Sequence, residues 1–221
     1  MNHSHLAMSE PAADRTPPLP LPGFEHINRY WDKTHGCFAA KILPGEYYVT
    51  LRDEAVVTVL GSCISACVRD GKTGIGGMNH FMLPSGGTDG RGQWGSSAIS
   101  ESTRFGSYAM ERLINDILKH GGNRNNLEVK VFGGGRILAQ MTDVGRKNID
   151  FVEQYLRTEG LRVLARDLGD VHPRKVYYAP ASGKAFVKKL RALHNDTIVT
   201  RETEYLSQLK QQPVAGEVTL F

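Results

Sequence analysis

With 221 residues, of which 40% are hydrophobic and 23% are charged, the chain is long enough for one domain with a substantial core. The formal net charge of +4 is mild, and no basic stretch is interleaved with aromatic residues, which argues against nucleic-acid binding. No apolar run approaches the ~20 residues of a membrane span, and the N-terminus lacks a signal-peptide pattern. The three cysteines are too few, and odd in number, for a disulfide framework. We therefore expect a cytoplasmic protein that is not inserted in the membrane.

Composition divides the chain into a domain and two tails. Residues 1–25 are polar and then proline-rich, which predicts a disordered tail. A single domain is expected over residues 26–210, followed by a C-terminal tail over residues 211–221. Residues 24–40 are aromatic but irregular, so we expect them to pack across the domain without a regular pattern. A Pro-Gly turn then precedes a strand predicted over residues 46–51.

The stretch from Val56 to Pro84 carries the strongest signals. A β-branched run, followed by apolar runs on either side of a turn at residues 70–74, predicts three strands. A two-residue loop at Gly71-Lys72, or a four-residue loop over residues 70–73, sets an antiparallel register in which Cys63 faces His80. Opposed residues share a face, with Cβ atoms roughly 4.5–5.5 Å apart, so this hairpin would place a thiol beside an imidazole. A loop of three or five residues would turn His80 to the other face.

A glycine- and serine-rich segment follows and runs through Ser97. It is either a lid over a reactive centre or a tolerated surface insertion. Ser100 or Ser102 is then expected to cap a helix over residues 103–119, whose apolar stripe predicts that it faces the core.

The remaining elements follow from alternation and helical periodicity. A strand over residues 127–132 runs into Gly133-Gly134-Gly135-Arg136, which lacks the patterns of nucleotide-binding loops. We interpret these glycines as a backbone bend that packs near the corner carrying Cys63. Strands outnumber helices, so the predicted fold class is α+β. The other predicted elements are a helix over 147–158, strands over 161–167, 175–179 and 185–190, and a short helix over 200–210.

Three kinds of chemistry could use Cys63. As an activated sulfur nucleophile it would need a base, and His80 is the candidate. Cys67, four residues further on, would instead allow a metal site formed by Cys63, Cys67 and His80, although no fourth ligand lies nearby in the sequence. A thiol redox sensor that uses the two cysteines is the third possibility. We favour the nucleophile, which requires neither a metal nor an organic cofactor.

Several stretches of the chain match one known family in consistent order over about residues 28–190. The most specific are Leu-Gly-Ser-Cys, which ends at Cys63, and Met-Asn-His-Phe around His80. Others are STRFGSYAME (102–111), KVFGGG (130–135), GRKNIDF (145–151), DLGDVHPRKVYYAP (167–180) and SGKAFVKKL (182–190). In these motifs the chain resembles the chemoreceptor glutamine deamidase family, CheD.

The resemblance implies hydrolysis of glutamine side-chain amides on methyl-accepting chemotaxis receptors. It also implies a sandwich of mixed β-sheets flanked by helices, similar to cysteine-dependent deamidating toxins. The family's catalytic triad of Cys, His and Thr falls on Cys63, His80 and Thr58. A CheC-type phosphatase is an implied partner. A non-catalytic chemotaxis adaptor that binds receptors or such a phosphatase is the alternative function.

Thr58 departs from the family spacing. It lies five residues before Cys63, whereas family members that read Thr-x-Gly-Leu-Gly-Ser-Cys place the threonine six residues before. Strand alternation would then point Thr58 away from the face of Cys63. A bulge at Leu60-Gly61 would restore the orientation.

Overall fold

The computed structural model describes residues 16–84, 96–137, 144–190 and 195–211. These residues form ten strands, three α-helices and one 3₁₀ turn at Arg124–Asn126. In chain order the elements are β1 (Asn28–Asp32), β2 (Cys37–Lys41), β3 (Tyr47–Thr50), β4 (Glu54–Leu60), β5 (Ile64–Asp70), β6 (Gly76–Asn79), α1 (Ser96–Lys119), β7 (Leu127–Gly133), α2 (Val144–Thr158), β8 (Arg162–Leu168), β9 (Arg174–Ala179), β10 (Lys184–Lys189) and α3 (Asn195–Gln211).

The strands form two mixed five-stranded sheets. Sheet A has the order β1-β2-β4-β9-β10, and sheet B has the order β3-β6-β5-β7-β8. Each sheet contains one parallel pair, β2 with β4 in sheet A and β7 with β8 in sheet B, and its other neighbours are antiparallel. The predicted α+β class with mixed sheets is confirmed.

The main hydrophobic core draws side chains from both sheets and from all three helices. Helix α1 packs on β3, β5 and β6, and α2 packs on β5 and β8. Among the described residues, no helix is both long enough and apolar enough to cross a lipid bilayer. Fully buried members of this core include Ala40, Val56, Leu60, Ile64, Val68, Met78, Met110, Leu113, Val131, Val152, Val176 and Tyr178.

The N-terminal part of the domain is more regular than the sequence indicated. Residues 28–41 form the antiparallel pair β1–β2, in which Tyr30 lies opposite Ala39, where we expected no regular pattern. Phe24 is only 3% exposed and belongs to the core, so packed structure begins before residue 26. Most of the segment that we considered as a lid or insertion, residues 85–95, lies outside the described residues, and its last two residues, 96 and 97, begin α1. Residues 1–15 and the tail from residue 212 also lie outside the described residues.

Between β5 and β6 the Asp70 N–H donates to the Ile75 carbonyl oxygen at 2.8 Å, so the pairing extends to these two residues and leaves a four-residue loop over residues 71–74. The pairing that follows places Ile64 opposite Phe81, which is two residues away from the predicted register. The predicted pairing of Cys63 directly with His80 is therefore wrong. A shift of two residues keeps side chains on the same face, so His80 becomes a diagonal neighbour of Cys63 instead of the opposed residue.

Candidate active site

Cys63 lies in a corner where the chain leaves sheet A and enters sheet B. β4 ends at Leu60 and β5 begins at Ile64, and the two strands belong to different sheets. The residues between them are Gly61, Ser62 and Cys63, which we call the corner. Its side chains are buried, and Cys63 has no exposed surface. The corner forms because a chain that crosses between packed sheets must turn sharply within a few residues.

The three-glycine segment that begins with the last residue of β7, Gly133, supports this corner. The Gly134 N–H donates to the Cys63 carbonyl oxygen at 2.7 Å, and the Gly135 N–H donates to the Gly61 carbonyl oxygen at 2.7 Å. Gly133 has φ of +117°, and a Cβ there would lie 2.1 Å from the Cys63 carbonyl oxygen. Only glycine fits such a close backbone approach. The interpretation of these glycines as a bend that packs near Cys63 is confirmed.

Asn148 of α2 braces the corner from another side. Its Nδ2 donates to the Ser62 carbonyl oxygen at 2.8 Å, and its Oδ1 accepts from the Leu83 N–H at 2.9 Å. Asn148 is fully buried. It therefore ties the corner to the extended segment that follows His80. Sequence reasoning did not single this residue out, although it lies in one of the family-like stretches.

His80 is held between the end of β6 and the turn that precedes β3. Its backbone N–H donates to the Glu46 carbonyl oxygen at 2.9 Å, and its carbonyl oxygen accepts from the Gly45 N–H at 2.8 Å. The side chain is 2% exposed. These two backbone hydrogen bonds fix the position from which the imidazole reaches the corner.

The hydroxyl of Thr58 determines which nitrogen of His80 carries the proton. Thr58 Oγ1 lies 2.8 Å from the Ile42 carbonyl oxygen and 2.8 Å from His80 Nδ1. A carbonyl oxygen only accepts, so the single hydroxyl proton goes to Ile42, and Oγ1 must accept from Nδ1–H. In the neutral imidazole the lone pair is then on Nε2, which has no hydrogen-bond partner among the described residues.

The structure brings Thr58 and His80 into contact, so the expectation that Thr58 points away unless a bulge intervenes is wrong. That expectation carried strand alternation through residues 58–63 as if they belonged to one strand. Thr58 lies in sheet A, whereas Cys63 leads into sheet B. Alternation does not carry across a change of sheet, so the spacing of five residues is compatible with a shared site.

Glu202 of α3 completes the cluster. Its Oε1 accepts from the Gly61 N–H at 2.8 Å and from the Cys63 N–H at 3.3 Å. Its Oε2 accepts from the Ser62 N–H at 2.8 Å and from Ser62 Oγ at 2.6 Å. The carboxylate is 2% exposed. Three successive backbone N–H groups thus converge on one buried anion.

Cys63, His80 and Glu202 each place a ligand-type atom within 4.8 Å of the other two. Cys67 is not a member of this group. It lies within β5, opposite Met78 on one side and Lys130 on the other, so the metal site that we considered from Cys63, Cys67 and His80 is wrong in its second ligand. Glu202 does not supply a ready replacement, because its two oxygens already accept four hydrogen bonds, which is about the capacity of a carboxylate.

Burial keeps both reactive groups neutral in this arrangement. It raises the pKa of the Cys63 thiol well above its ordinary value, and the adjacent negative charge of Glu202 raises the pKa further. Burial, followed by the positive charge of Arg201, lowers the pKa of His80 from 6.5 to about 3. The pair therefore rests as thiol and imidazole, not as thiolate and imidazolium.

Comparison with known proteins identifies the family. The model of the family described as "CheD chemotactic sensory transduction" matches residues 82–189. A protein of Halorhodospira halophila is 60% identical over 206 residues, which cover 93% of this chain and 95% of the relative. One from Janthinobacterium is 57% identical over 89% of this chain and 97% of the relative, and one from Hahella chejuensis is 52% identical over 93% and 95%. All three relatives carry the name "Probable chemoreceptor glutamine deamidase CheD". The chain belongs to the CheD family.

Proposed function

We propose that this protein hydrolyses the side-chain amides of glutamines on methyl-accepting chemotaxis receptors, with Cys63 as the nucleophile. The relatives are named as deamidases of this kind. One observation carries the chemical part of the proposal. A ring nitrogen of buried His80 lies within 4.8 Å of the Cys63 sulfur, next to three converging backbone N–H groups, and the Nε2 of this imidazole is proton-free and has no hydrogen-bond partner among the described residues.

In the first step, His80 acts as a general base on Cys63. The thiol proton moves to Nε2, and the sulfur attacks the carbon of the glutamine amide. The new C–S bond forms as the C=O π electrons move onto oxygen. The N–H groups of the corner, which hold the Glu202 carboxylate in the resting structure, are the donors that would stabilise this oxyanion.

In the second step, the same imidazole acts as a general acid. Nε2–H gives its proton to the amide nitrogen, the C–N bond breaks, and ammonia leaves a thioester on Cys63. His80 then takes a proton from water, whose oxygen attacks the thioester carbon. Collapse of that second tetrahedral intermediate releases glutamate and restores the thiol. No step uses a metal or an organic cofactor.

The proposal is tested by mass spectrometry of peptides from a receptor cytoplasmic fragment incubated with the full-length protein. Glutamine that becomes glutamate gains the mass difference between an amide and an acid, which is about one mass unit. Conversion at a limited set of glutamines is the expected result. Tight binding of the fragment without any conversion would contradict the enzyme and favour the alternative, a chemotaxis adaptor.

Thr58 is a positioning residue in this scheme, because its hydroxyl accepts from Nδ1–H and so keeps the lone pair on Nε2. We expect Thr58→Val to lower kcat by about tenfold to a hundredfold, since the imidazole loses its fixed tautomer and orientation. Thr58→Ser keeps the hydroxyl and should retain most of the activity. The rates of both variants are measured with the same receptor fragment. Equal losses in both variants would show that the hydroxyl is not what matters.

Two further parts of the proposal concern the surroundings of the enzyme. We infer a cytoplasmic location, because all three cysteines are free thiols and such thiols suit a reducing compartment. A CheC-type phosphatase is a proposed partner on family grounds alone. Co-purification of the two proteins from cells tests that part separately.

A further inference from the structure

The centre just described is closed. Cys63 has no exposed surface, and His80 and Glu202 are each 2% exposed. A glutamine side chain on another protein cannot reach a sulfur atom in this state. Some part of the cover must therefore move before the proposed reaction can begin.

Helix α3 is the part of the cover that contacts the corner through a charged group. Its inward face carries Ile198, Leu206 and Leu209, all buried, with Glu202 in the middle of this apolar stripe. A carboxylate costs much free energy to bury unless hydrogen bonds compensate. Here the donors are the backbone N–H groups of the corner, which bind the Glu202 carboxylate and so hold the helix in place. The same N–H groups would stabilise the oxyanion in the proposed reaction.

The corner is shaped to take this carboxylate. A Cβ at Gly61 would lie 2.8 Å from Glu202 Oε2, and it would lie closer still to the side chain of Ile137. The absence of a side chain at residue 61 therefore leaves room for an incoming acid or amide group. The end of a glutamate side chain has nearly the shape of a glutamine amide and is identical to the product of glutamine deamidation.

Two cavities border α3, and His80 lines both of them. The cavity of ≈ 390 Å³ also has Arg201 of α3 in its wall, whereas the cavity of ≈ 170 Å³ has Tyr205 and Leu209. Arg201, Tyr205 and Leu209 follow one another at a spacing of four residues, so both cavities lie along the same side of the helix, and both are bordered by the imidazole. Movement of α3 away from the corner would widen both spaces next to the imidazole.

We propose that α3 is an autoinhibitory helix, in which Glu202 occupies the corner as an internal mimic of the deamidation product. Receptor binding displaces the helix, and the substrate glutamine takes the position of the Glu202 carboxylate. The inference rests on the proposed function for its biological meaning. The closure itself is a property of this chain that can be measured without a receptor.

The neutral state of Cys63 fits this mechanism. The negative charge of Glu202 disfavours the thiolate, and the positive charge of Arg201 disfavours the imidazolium. Both charges belong to α3. When the helix leaves, burial decreases and both opposing charges leave with it, so the proton transfer from Cys63 to His80 becomes easier.

The test measures alkylation of Cys63 by iodoacetamide in the full-length protein, followed by peptide mass spectrometry. Glu202→Ala removes the carboxylate that seats the helix. We expect alkylation of Cys63 to become at least about tenfold faster, the factor that corresponds to losing one charge-assisted hydrogen bond. Glu204→Ala is the matched control, because Glu204 is exposed on the same helix. In Glu204→Ala, Cys63 should be alkylated at the wild-type rate.

Cys67 reports on unfolding in the same experiment. It is buried within β5, so selective alkylation of Cys63 in Glu202→Ala shows opening of the site alone. If that variant exposes Cys67 as well, Glu202→Leu decides, because leucine keeps most of the side-chain size but cannot accept hydrogen bonds from the corner. Slow alkylation of Cys63 in folded Glu202→Leu would overturn the proposal.

The deamidation assay separates this inference from the proposed function. Faster alkylation and faster deamidation of a receptor fragment by Glu202→Ala support both. Faster alkylation with no deamidation by any variant supports the closed site and contradicts the enzyme. Unchanged alkylation of Cys63 with normal deamidation by the wild type contradicts autoinhibition and leaves the enzyme standing.

Discussion

Replacing Cys63 with alanine should abolish deamidation of a receptor fragment, with a loss of at least about 10⁴-fold in kcat. The sulfur forms the covalent bond to the substrate in the proposed mechanism, and alanine offers no nucleophile. The residual rate would come only from a water molecule activated by His80 beside the N–H groups of the corner. The variant should fold, because the small buried thiol is replaced by a smaller apolar side chain. Peptide mass spectrometry of the fragment measures the rate.

Cys67→Ala is the matched control for this experiment. Cys67 is also a free and fully buried thiol, and it lies outside the group formed by Cys63, His80 and Glu202. Its removal should leave deamidation near the wild-type rate. Equal loss of activity in both variants would contradict a specific role of Cys63 and would favour a redox pair that uses both cysteines.

Replacing His80 with glutamine should lower kcat by about 10²–10⁴-fold near neutral pH, the range typical of a lost general acid–base. The loss should shrink as the pH rises, because the thiol then loses its proton without help from a base. In the wild type, burial lowers the pKa of His80 from 6.5 to about 3, so the imidazole stays in its base form through mildly acidic pH. Since kcat/KM reports the free enzyme, it should not fall as the pH drops through 6.5.

His120→Gln provides the comparison for His80→Gln. His120 lies just beyond α1, where its Nδ1 contacts the Asp116 carbonyl oxygen. Its replacement by glutamine should leave both the rate of deamidation and the pH profile unchanged. A wild-type profile that loses activity around pH 6.5 would show that the imidazole titrates as an exposed group, contrary to the closed state described above.

The main elements of the fold could be predicted because their patterns are local. The helix predicted over residues 103–119 and the strand over residues 127–132 match α1 and β7, apart from a longer N-terminal end of the helix. Alternation and the 3.6-residue period report directly on burial in such elements. The face shared by Cys63 and His80 was also predictable, since it depends only on whether the loop has an even number of residues.

The β1–β2 pair was missed because its residues do not alternate cleanly between apolar and polar. Tyr30 and Trp31 are adjacent in β1, and Phe38 and Ala39 are adjacent in β2, so apolar groups lie on both faces. The Trp31 and Phe38 rings pack edge to face with their centroids 5.1 Å apart. A strand with two apolar faces cannot be distinguished by period from an irregular aromatic segment.

Glu202 could not be placed in the site from the sequence. It lies 139 residues after Cys63, and no spacing rule connects a helix near the C-terminus to a corner between two sheets. The available signal was a charged residue within the apolar stripe of Ile198, Leu206 and Leu209. A charged residue in such a stripe is buried only if the rest of the fold supplies hydrogen-bond donors for its carboxylate. Only the three-dimensional structure shows that the corner supplies these donors.

Deamidation carried out in the presence of hydroxylamine tests the central claim most directly. If Cys63 forms a thioester, hydroxylamine competes with water for that intermediate, and part of the product is a glutamyl hydroxamate, heavier than glutamine by one oxygen atom. The account predicts that the hydroxamate fraction rises with hydroxylamine concentration in the wild type and that Cys63→Ala forms neither product. Two results would contradict the account. One is that the wild type forms glutamate at the full rate without any hydroxamate at any hydroxylamine concentration, and the other is that Cys63→Ala forms glutamate.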